Sequence, residues 1–296
     1  MIDSRFLIAV YAFDYFGPKR IALLLSYFGK AEKIWKASSA ELSETGLGKN
    51  KALEFDGFRK NFNIQEYLNK LKKQKIKAVT VLDKNYPQNL KGLNDAPLVL
   101  YYKGILKKSD VRSVAVVGSR NSTAYGNYMT QAIAGELAKH KITIISGLAR
   151  GIDTIAHKKT LSQKGRTIAV LGSGLNIVYP SENKYLAESI VKSGGAIVSE
   201  YPLGYPVKPE NFVRRNRIIS GMSAAVVVIE GAEKSGTLIT ARHAAEQGKD
   251  VFAVPGPATS PTSFAPHLLI QNGAKLATNA GDILEELDFP AGKLRH

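Results

Sequence analysis

The chain has 296 residues and a mass of 32.1 kDa, and its 44% hydrophobic and 22% charged residues are typical of a folded globular protein. Its 41 Lys and Arg outnumber 25 Asp and Glu, and the formal charge of +16 favours a polyanionic partner such as nucleic acid. The lack of cysteine excludes disulfides, thiolate nucleophiles and cysteine-bound zinc or iron–sulfur centres within these residues.

The opening stretch does not have the pattern of a targeting or membrane segment. Its apolar residues are interrupted by Asp3, Arg5 and Asp14, and no small-residue cleavage site follows. The longest uninterrupted aliphatic run, residues 224–229, is too short to cross a bilayer. We therefore expect a cytoplasmic protein with no membrane contact.

Residues 1–65 are predicted to form a small all-α domain, because their apolar residues recur at helical spacing. Residues 41–55 have the form helix, Gly46-Leu47-Gly48, helix, which resembles a helix-hairpin-helix unit. In such a unit the turn presents backbone N–H groups to a phosphate, here beside Lys49 and Lys51. The glycines fit a tight turn between packed helices equally well, so both interpretations stay open.

Residues 66–108 are predicted to form a connector and the leading strands of the next domain. Residues 1–108 contain 20 Lys and Arg against 10 Asp and Glu, whereas residues 109–296 contain 21 against 15. The basic run KLKKQKIK at 70–77 fits a solvated helix end as well as a phosphate contact.

Residues 109–290 are predicted to form a Rossmann-like α/β domain, in which short buried strands alternate with helices around an extended parallel sheet. The strands, with two leading ones from the connector, are predicted at 78–82, 97–102, 113–118, 142–147, 167–172, 196–200, 224–230 and 251–256. Helices are predicted near 126–140, 153–163, 183–193 and 237–247.

The turns that follow these strands predict an anion-binding rim. Ligands of such sheets lie at the carboxyl ends of the strands, where helix N-termini present free N–H groups. Four of the turns are rich in Gly and Ser, and two of them contain arginine. The candidate residues are Gly118, Ser119, Arg120, Ser146, Gly147, Arg150, Ser173, Lys234, Ser235, Gly236 and Thr237.

The densest cationic run is Phe212-Val213-Arg214-Arg215-Asn216-Arg217. Guanidinium groups bind phosphates through two parallel hydrogen bonds, so Arg214, Arg215, Asn216 and Arg217 are also predicted nucleic-acid contacts. A salt bridge to Glu200 or Glu230 is the alternative for each arginine. Aromatic side chains near the rim, including Tyr179 and Phe212, are candidates for stacking on unpaired bases.

The sequence does not match the motifs for dinucleotide, P-loop or metal binding. Gly172-Ser173-Gly174 begins a GxGxxG pattern, but Ile177 stands at its sixth position, which disfavours a dinucleotide. No P-loop is present, and the histidines lack metal-ligand spacing; His157 fits a helix residue satisfied by a neighbour. Asp153, Glu200 and Glu230 are candidates for paired acids, although Asp153 also fits a helix cap. We expect no cofactor, no metal and no catalytic residue.

A set of blocks in the α/β region resembles the DNA-processing protein A (DprA/Smf) family. They run in order as GSRNSTAYG at 118–126, SGLARGIDTIAH at 146–157, GRTIAVLGSGLNIVYP at 165–180, SEYPLG at 199–204, NFVRRNRIISGMS at 211–223, EKSGTLITARHAAEQGKDVFAVPG at 233–256 and LLIQNGAKL at 268–276. The helical residues 18–60 also resemble the sterile-alpha-motif-like or helix-hairpin-helix-like module with which the family begins.

The resemblance implies a non-enzymatic protein that binds single-stranded DNA, protects it during natural transformation and loads the RecA recombinase onto it. It also implies a homodimer formed through the Rossmann-like domain. By the same resemblance Arg120 and the turn at Ser146-Gly147 line a phosphate pocket, with Arg215, Asn216, Arg217 and the turn 235–237 near it.

Three departures from the family pattern bear on these expectations. Ser181 stands where the family often has Lys, so Lys184 is expected to supply that phosphate contact. Residues 265–267 read Ala-Pro-His near the expected dimer contact, for which His267 and Leu276 are the candidates. The winged-helix domain that many members carry after this region is not expected here.

Two alternatives to this function stay open. One is a nucleotide phosphoribohydrolase of the LOG type, whose Gly-rich PGGxGT turn is loosely echoed by residues 231–237. The other is a nucleotide-sensing Rossmann-like module without a DNA role. Base release from nucleoside monophosphates would identify the enzyme, and salt-sensitive oligonucleotide binding would identify the DNA-binding protein.

Overall fold

The N-terminal region is helical in the computed structural model, which describes residues 2–13 and 16–287. Gly46 and Gly48 have φ values of 80° and 83°, a left-handed conformation that favours glycine and closes the turn between two helices as predicted. The helices are α1 (Ile2–Tyr11), α2 (Pro18–Phe28), α3 (Ala31–Lys36), α4 (Ser39–Leu42), α5 (Lys49–Asn61) and α6 (Ile64–Lys73).

A mostly parallel sheet forms the rest of the structure, in the strand order β1-β2-β6-β5-β4-β3-β7-β8-β9. All eight predicted strands are present, which confirms the α/β Rossmann-like fold. Their bounds are β1 (Lys77–Thr80), β2 (Val99–Gly104), β3 (Ser113–Val117), β4 (Thr143–Ser146), β5 (Thr167–Val170), β6 (Ala196–Ser199), β7 (Ala225–Val228), β8 (Asp250–Ala253) and β9 (Lys275–Leu276).

Two features of the sheet differ from the prediction. Strands β1 and β2 pair antiparallel with each other, and β2 pairs antiparallel with β6, so this edge is mixed. Antiparallel neighbours can be joined without a helical crossover, and no helix lies between β1 and β2 in the chain. The short strand β9, at the opposite edge, carries too few residues to show a periodicity in the sequence.

Helices cover both faces of the sheet. Val114 and Val116 of β3 belong to the core under the helices of one face, and Ala115 and Val117 belong to the core of the other. This alternation explains why the strands read as continuous apolar runs. The helices are α7 (Ala124–Lys139), α8 (Ile152–Ser162), α9 (Lys184–Lys192), α10 (Pro209–Met222), α11 (Gly236–Glu246), α12 (Phe264–Gln271) and α13 (Ala280–Glu286).

The N-terminal helices share a hydrophobic core with the sheet. Buried Phe55 and Leu7 belong to the same cluster as Ile190 of α9 and Ile197 of β6. The predicted division at residues 65 and 108 remains a prediction, and residues 288–290 of the third predicted segment lie outside the described residues. Within residues 2–13 and 16–287, no helix combines the length and hydropathy needed to cross a bilayer.

The sheet has a switch point at β3. The chain passes from β3 to its neighbour β4 on one side, and it returns through α10 to place β7 on the other. The carboxyl ends of β3 and β7 therefore diverge into different connections, which leaves a crevice between them.

Candidate nucleic-acid interface

A cleft of about 510 Å³ opens at the carboxyl ends of β3 and β7. Its walls are the turn after β3, the start of α11 and one side of α10. It brings together nine of the predicted contacts, which come from three separate stretches of the chain: Gly118, Ser119, Arg120, Arg215, Asn216, Lys234, Ser235, Gly236 and Thr237. We call this the rim cleft.

The turn after β3 presents Arg120 to solvent. The Ser119 hydroxyl donates to the Asn121 carbonyl at 3.0 Å and accepts from the Asn121 N–H at 3.1 Å, which orders the turn. Arg120 is exposed, and its guanidinium carbon lies 5.6 Å from the centre of the Phe212 ring. A guanidinium over an aromatic face stays available to an anion while its position is fixed.

The opposite wall is the N-terminus of α11, which has no acidic residue in its first turn. The Ser235 hydroxyl accepts from the Thr237 N–H at 3.2 Å, and Asn216 donates to the Gly236 carbonyl at 3.2 Å. Lys234 is exposed directly before this cap. A helix N-terminus and a lysine together give this wall a positive potential.

Arg215 lies beneath the cleft and is only 4% exposed. Its Nη1 donates to the Gly147 and Val170 carbonyls at 2.5 Å each, so it joins the ends of β4 and β5. A Cβ at Gly147 would lie 2.5 Å from that nitrogen, and glycine is therefore required for this approach. Burial lowers the pKa of Arg215 to about 10, which leaves it charged at neutral pH.

Asp153 fixes the turn between β4 and α8. Its Oδ2 accepts from the Gly147 N–H at 3.1 Å and from the Ala149 N–H at 3.3 Å. Burial raises the pKa of this carboxyl, and nearby Arg215 opposes the shift. Asp153 thus anchors its helix and turn, the role that the sequence suggested beside a catalytic one.

A small pocket of about 40 Å³ adjoins the rim cleft and shares Arg120 and Arg215 with it. It contains two more predicted contacts, Gly147 and Arg150. Arg150 makes a bidentate ion pair with Glu182, at 2.6 Å from Nε and 2.8 Å from Nη2. Because this pair is exposed, an incoming phosphate can compete for Arg150 at low energetic cost.

The structure places Arg214 and Arg217 on the other side of α10, away from the rim cleft. Arg217 forms a buried ion pair with Glu200, and it donates to the Asp95 carbonyl. Residues 215 and 217 are about 200° apart around a helix, so they face opposite ways. The salt-bridge alternative is thus observed for Arg217, and a phosphate contact by this side chain stays a prediction.

Three other predicted contacts lie outside the two pockets. Ser146 and Ser173 are buried, and their hydroxyls donate to the carbonyls of Val116 and Ile177 at 2.7 Å. They hold strand ends and turns in place. Lys184 is exposed at the start of α9 and lines neither pocket.

The three candidate acids do not converge. Asp153 caps its turn, and Glu200 is paired with Arg217 across α10. Glu230 accepts from the Thr123 N–H at 3.0 Å and from the Thr262 hydroxyl at 3.2 Å, which ties it to the start of α7. Each acid therefore has a structural role.

His157 is a buried residue of α8, as predicted, and a neighbour satisfies one of its two ring nitrogens, whereas its Nε2 has no hydrogen-bond partner among the described residues. The Thr167 hydroxyl donates to the Ile144 carbonyl at 2.8 Å, so it accepts from Nδ1 of His157 at 2.7 Å. Burial lowers the pKa of His157 to about 3, and the charge of Arg215 adds to the shift. Among the described residues, no group of three or more metal-ligating side chains is assembled.

The structure also brings together residues that the sequence did not single out or only mentioned. Asn121 and Thr240 line the rim cleft, and their closeness to Arg120 and Thr237 along the chain was the available signal. The Tyr179 and Phe212 rings lie 5.5 Å apart beside the small pocket. Tyr179 is 47% exposed and is accessible to a base.

The two candidate dimer residues lie near the β9 edge. The His267 ring contacts the Gly256 carbonyl through Nε2 at 2.9 Å. Leu276 is 49% exposed on β9, the last strand of the sheet. An exposed leucine on an edge strand is compatible with the predicted dimer contact, which stays a prediction.

Comparisons with known proteins identify the family. The family model of DNA recombination-mediator protein A matches residues 77–288. Protein Smf of Escherichia coli is 44% identical over 248 residues, which are 84% of this chain and 66% of that protein. This chain therefore spans just under two thirds of the length of that relative.

Two solved structures agree with this match. The X-ray structure of DNA processing protein A (DprA) from Streptococcus pneumoniae superposes with a TM-score of 0.76 at 39% identity, and covers 85% of this chain and 87% of that one. DNA processing protein A from Helicobacter pylori, described for its single-stranded DNA binding mode, gives a TM-score of 0.64 at 30% identity over 71% of this chain and 94% of that one. The chain belongs to the DNA recombination-mediator protein A (DprA/Smf) family.

Proposed function

We propose that this protein binds single-stranded DNA in the rim cleft and catalyses no reaction on it. The observation that carries the proposal is the exposed Arg120, held over Phe212 and facing Lys234 and the start of α11 across the switch-point crevice. Nucleotides bind at the switch point of open α/β sheets. Each nucleotide unit of single-stranded DNA presents the same phosphate and base groups as a free nucleotide.

The phosphates are bound by Arg120, Lys234 and the N–H groups at the start of α11. A phosphate dianion or diester accepts several such hydrogen bonds at once, and charge-assisted bonds are about twice as strong as neutral ones. Arg215 and Asp153 act as positioning residues, since they hold the turns of the cleft and are buried.

The bases stack on the exposed ring of Tyr179 beside the phosphate sites, since the guanidinium groups of Arg120 and Arg215 lie over the Phe212 ring. Aromatic stacking requires an unpaired base and tolerates all four, so the proposal predicts single-strand preference with little sequence preference. A duplex would present its phosphates but not its base faces, and would lose the stacking contribution.

A nucleotide phosphoribohydrolase is disfavoured by the positions of the acids. Hydrolysis of the LOG type needs a carboxylate beside the bound nucleotide, and Glu230 is instead occupied by Thr123 and Thr262. The residues 231–237 also lack the proline and paired glycines of the LOG turn.

Binding of fluorescent oligo(dT), followed by polarisation at several salt concentrations, tests the proposal. We expect tight binding whose log K falls with log salt by about 0.7 per phosphate neutralised, and weaker binding of a duplex of the same length. Turnover of nucleoside monophosphates with negligible oligonucleotide affinity would refute it in favour of the enzyme.

Protection of incoming DNA, loading of RecA during natural transformation, a cytoplasmic location and a homodimer through His267 and Leu276 complete the proposal. They rest on membership of the family. The dimer is tested by light scattering of the wild type and of Leu276→Glu, for which we expect a dimer and a monomer. RecA loading is tested by the rate at which RecA nucleates on covered single strands with and without the protein.

A further inference from the structure

A second cavity, of about 870 Å³, lies on the side of α10 opposite to the rim cleft. Its walls come from the N-terminal helices and from the segment that follows β6, and Lys19, Gly46, Tyr205 and Arg214 are among its lining residues. We call it the interdomain cavity. Its volume falls within the roughly 300–1,000 Å³ that is usual for ligand sites.

The interdomain cavity contains an aromatic platform beside cations. The rings of Tyr201 and Tyr205 stack with centroids 4.6 Å apart and an angle of 29° between their planes. The Lys208 ammonium lies 5.4 Å from the centre of the Tyr205 ring. Stacked aromatic rings next to a cation suit a base and its phosphate.

Further positive charge faces this cavity from both sides. Arg214 is exposed on α10, and Lys19 is exposed in the first turn of α2, which contains no acidic residue. The acid Glu200 is neutralised by Arg217 in their buried pair. Two other acids, Asp95 and Glu246, also line the cavity beside Arg20, and Glu246 lies 3.5 Å from the His243 ring. The four cations of the lining outnumber its three acids by one, so the excess charge is positive on the side of Lys19 and Arg214.

The floor of the cavity has unused hydrogen-bonding capacity. Glu200 and Tyr201 both line it and are 5% and 7% exposed. The buried Glu200 Oε1 and the Tyr201 hydroxyl have no hydrogen-bond partner among the described residues. Native proteins rarely leave buried polar atoms unsatisfied, and a group bound in the cavity is one way to satisfy these two.

The glycine turn of the N-terminal helices takes part in the same cavity. Gly46, which closes the turn between α4 and α5, is one of its lining residues. The helix-hairpin-helix interpretation offered this turn as a phosphate contact, but Gly48, Lys49 and Lys51 do not line the cavity, so the turn contributes the Gly46 backbone alone.

We propose that the interdomain cavity binds the stretch of single-stranded DNA that leaves the rim cleft over α10, with a base on Tyr205 and phosphates on Arg214 and Lys19. The inference rests on the proposed function, since it extends the same strand. Arg215 and Arg214 are neighbours in sequence and lie under the two cavities, and a helix of about 10–12 Å diameter is crossed by a few nucleotides.

Oligo(dT) of two lengths tests the inference. A strand of about 5 nucleotides fills the rim cleft alone, whereas one of about 20 nucleotides reaches both sites. We expect Arg214→Ala and Tyr205→Ala each to weaken the long strand about tenfold and to leave the short one unchanged. Arg214→Ala also lowers the salt slope of the long strand by about 0.7.

Matched variants separate a binding role from a loss of fold or of bulk charge. Tyr205→Phe keeps the ring and retains wild-type affinity, and Lys192→Ala removes an exposed charge at the far end of α9 with no effect on either strand. Thermal unfolding of all variants is compared with the wild type. If both Arg214→Ala and Tyr205→Ala bind the long strand as the wild type does, the inference is wrong.

Two further outcomes distinguish this inference from related ones. Failure of the wild type to bind either strand refutes the proposed function itself. Free dTMP at about 1 mM serves as a probe for a free-nucleotide site, and we expect it not to displace the long strand. Saturable dTMP binding that Tyr205→Ala abolishes, with unchanged binding of the long strand, overturns the inference.

Discussion

Arginines in the surface layer of the rim cleft are exposed, whereas arginines in the buried layer of the same region are hydrogen-bonded within the protein. Arg120 at the surface is exposed and touches only an aromatic ring among its described contacts. Arg215 beneath the cleft donates to two backbone carbonyls. On the opposite side of α10, Arg217 is likewise satisfied within the protein, in its pair with Glu200.

Arginines that are neighbours in sequence are therefore not equivalent phosphate contacts. A buried guanidinium must have its donors satisfied by the protein, because an unpaired buried charge is costly. Such an arginine organises the turns that the exposed arginine then uses. Variants of the two layers should therefore fail in different assays.

Removal of the buried ion pair between Arg217 and Glu200 should change the stability of the protein most. Arg217→Ala leaves Glu200 as an uncompensated buried carboxylate and should lower the free energy of unfolding by about 3–5 kcal/mol, measured by urea denaturation. The double variant Arg217→Met with Glu200→Leu should recover most of this loss. A single variant as stable as the wild type would show that Arg217 has no structural role in the buried layer.

Acid titration of the buried layer should give the next largest effect. Because the pKa of His157 falls from 6.5 unfolded to about 3 folded, its contribution is complete above about pH 6.5 and is lost as the pH decreases. The free energy of unfolding should fall by about 1.4 kcal/mol per pH unit, or about 3 kcal/mol by pH 4.5.

The matched variant for this titration is His157→Gln, which keeps a donor for Thr167 but does not titrate. Urea denaturation of both proteins at about pH 7 and pH 4.5 isolates the histidine from the carboxyl groups that titrate in the same range. Equal losses of stability in the two proteins would contradict the assignment.

In the surface layer, Arg120→Ala should weaken oligo(dT) binding about 10- to 100-fold, the effect of losing a charge-assisted contact. Its melting temperature should stay that of the wild type, because the side chain is exposed. Polarisation and thermal unfolding measure the two properties side by side. A large drop in melting temperature would assign Arg120 to the buried, structural layer instead.

The smallest effect is expected for Lys234→Ala. An ammonium on a flexible stem contributes mainly its charge, so the salt slope of oligo(dT) binding should fall by about 0.7 with only a modest loss of affinity. The slope is measured by titration at four or more salt concentrations. An unchanged slope would remove Lys234 from the DNA contacts.

Local pattern determined much of the fold. The apolar runs predicted the eight strands β1 to β8, and the turns after the strands predicted most of the rim cleft. Both signals are local, because hydrophobic runs and Gly-rich turns are read from neighbouring residues. Local pattern could not predict which strands lie at the two edges of the sheet. The positions of β1, β2 and the two-residue β9 are set by pairing with strands that are distant in sequence.

The tertiary structure alone decided which of the predicted contacts face a ligand. The sequence presents Arg214, Arg215, Asn216 and Arg217 as one cationic cluster, but α10 turns them to two sides, buries Arg215 and leaves Arg217 mostly buried in its ion pair. The partners that fix those two, Glu200 and the carbonyls of Gly147 and Val170, come from other strands. Sequence thus determined the sheet and its rim, whereas burial, a property of long-range packing, divided its arginines between structure and binding.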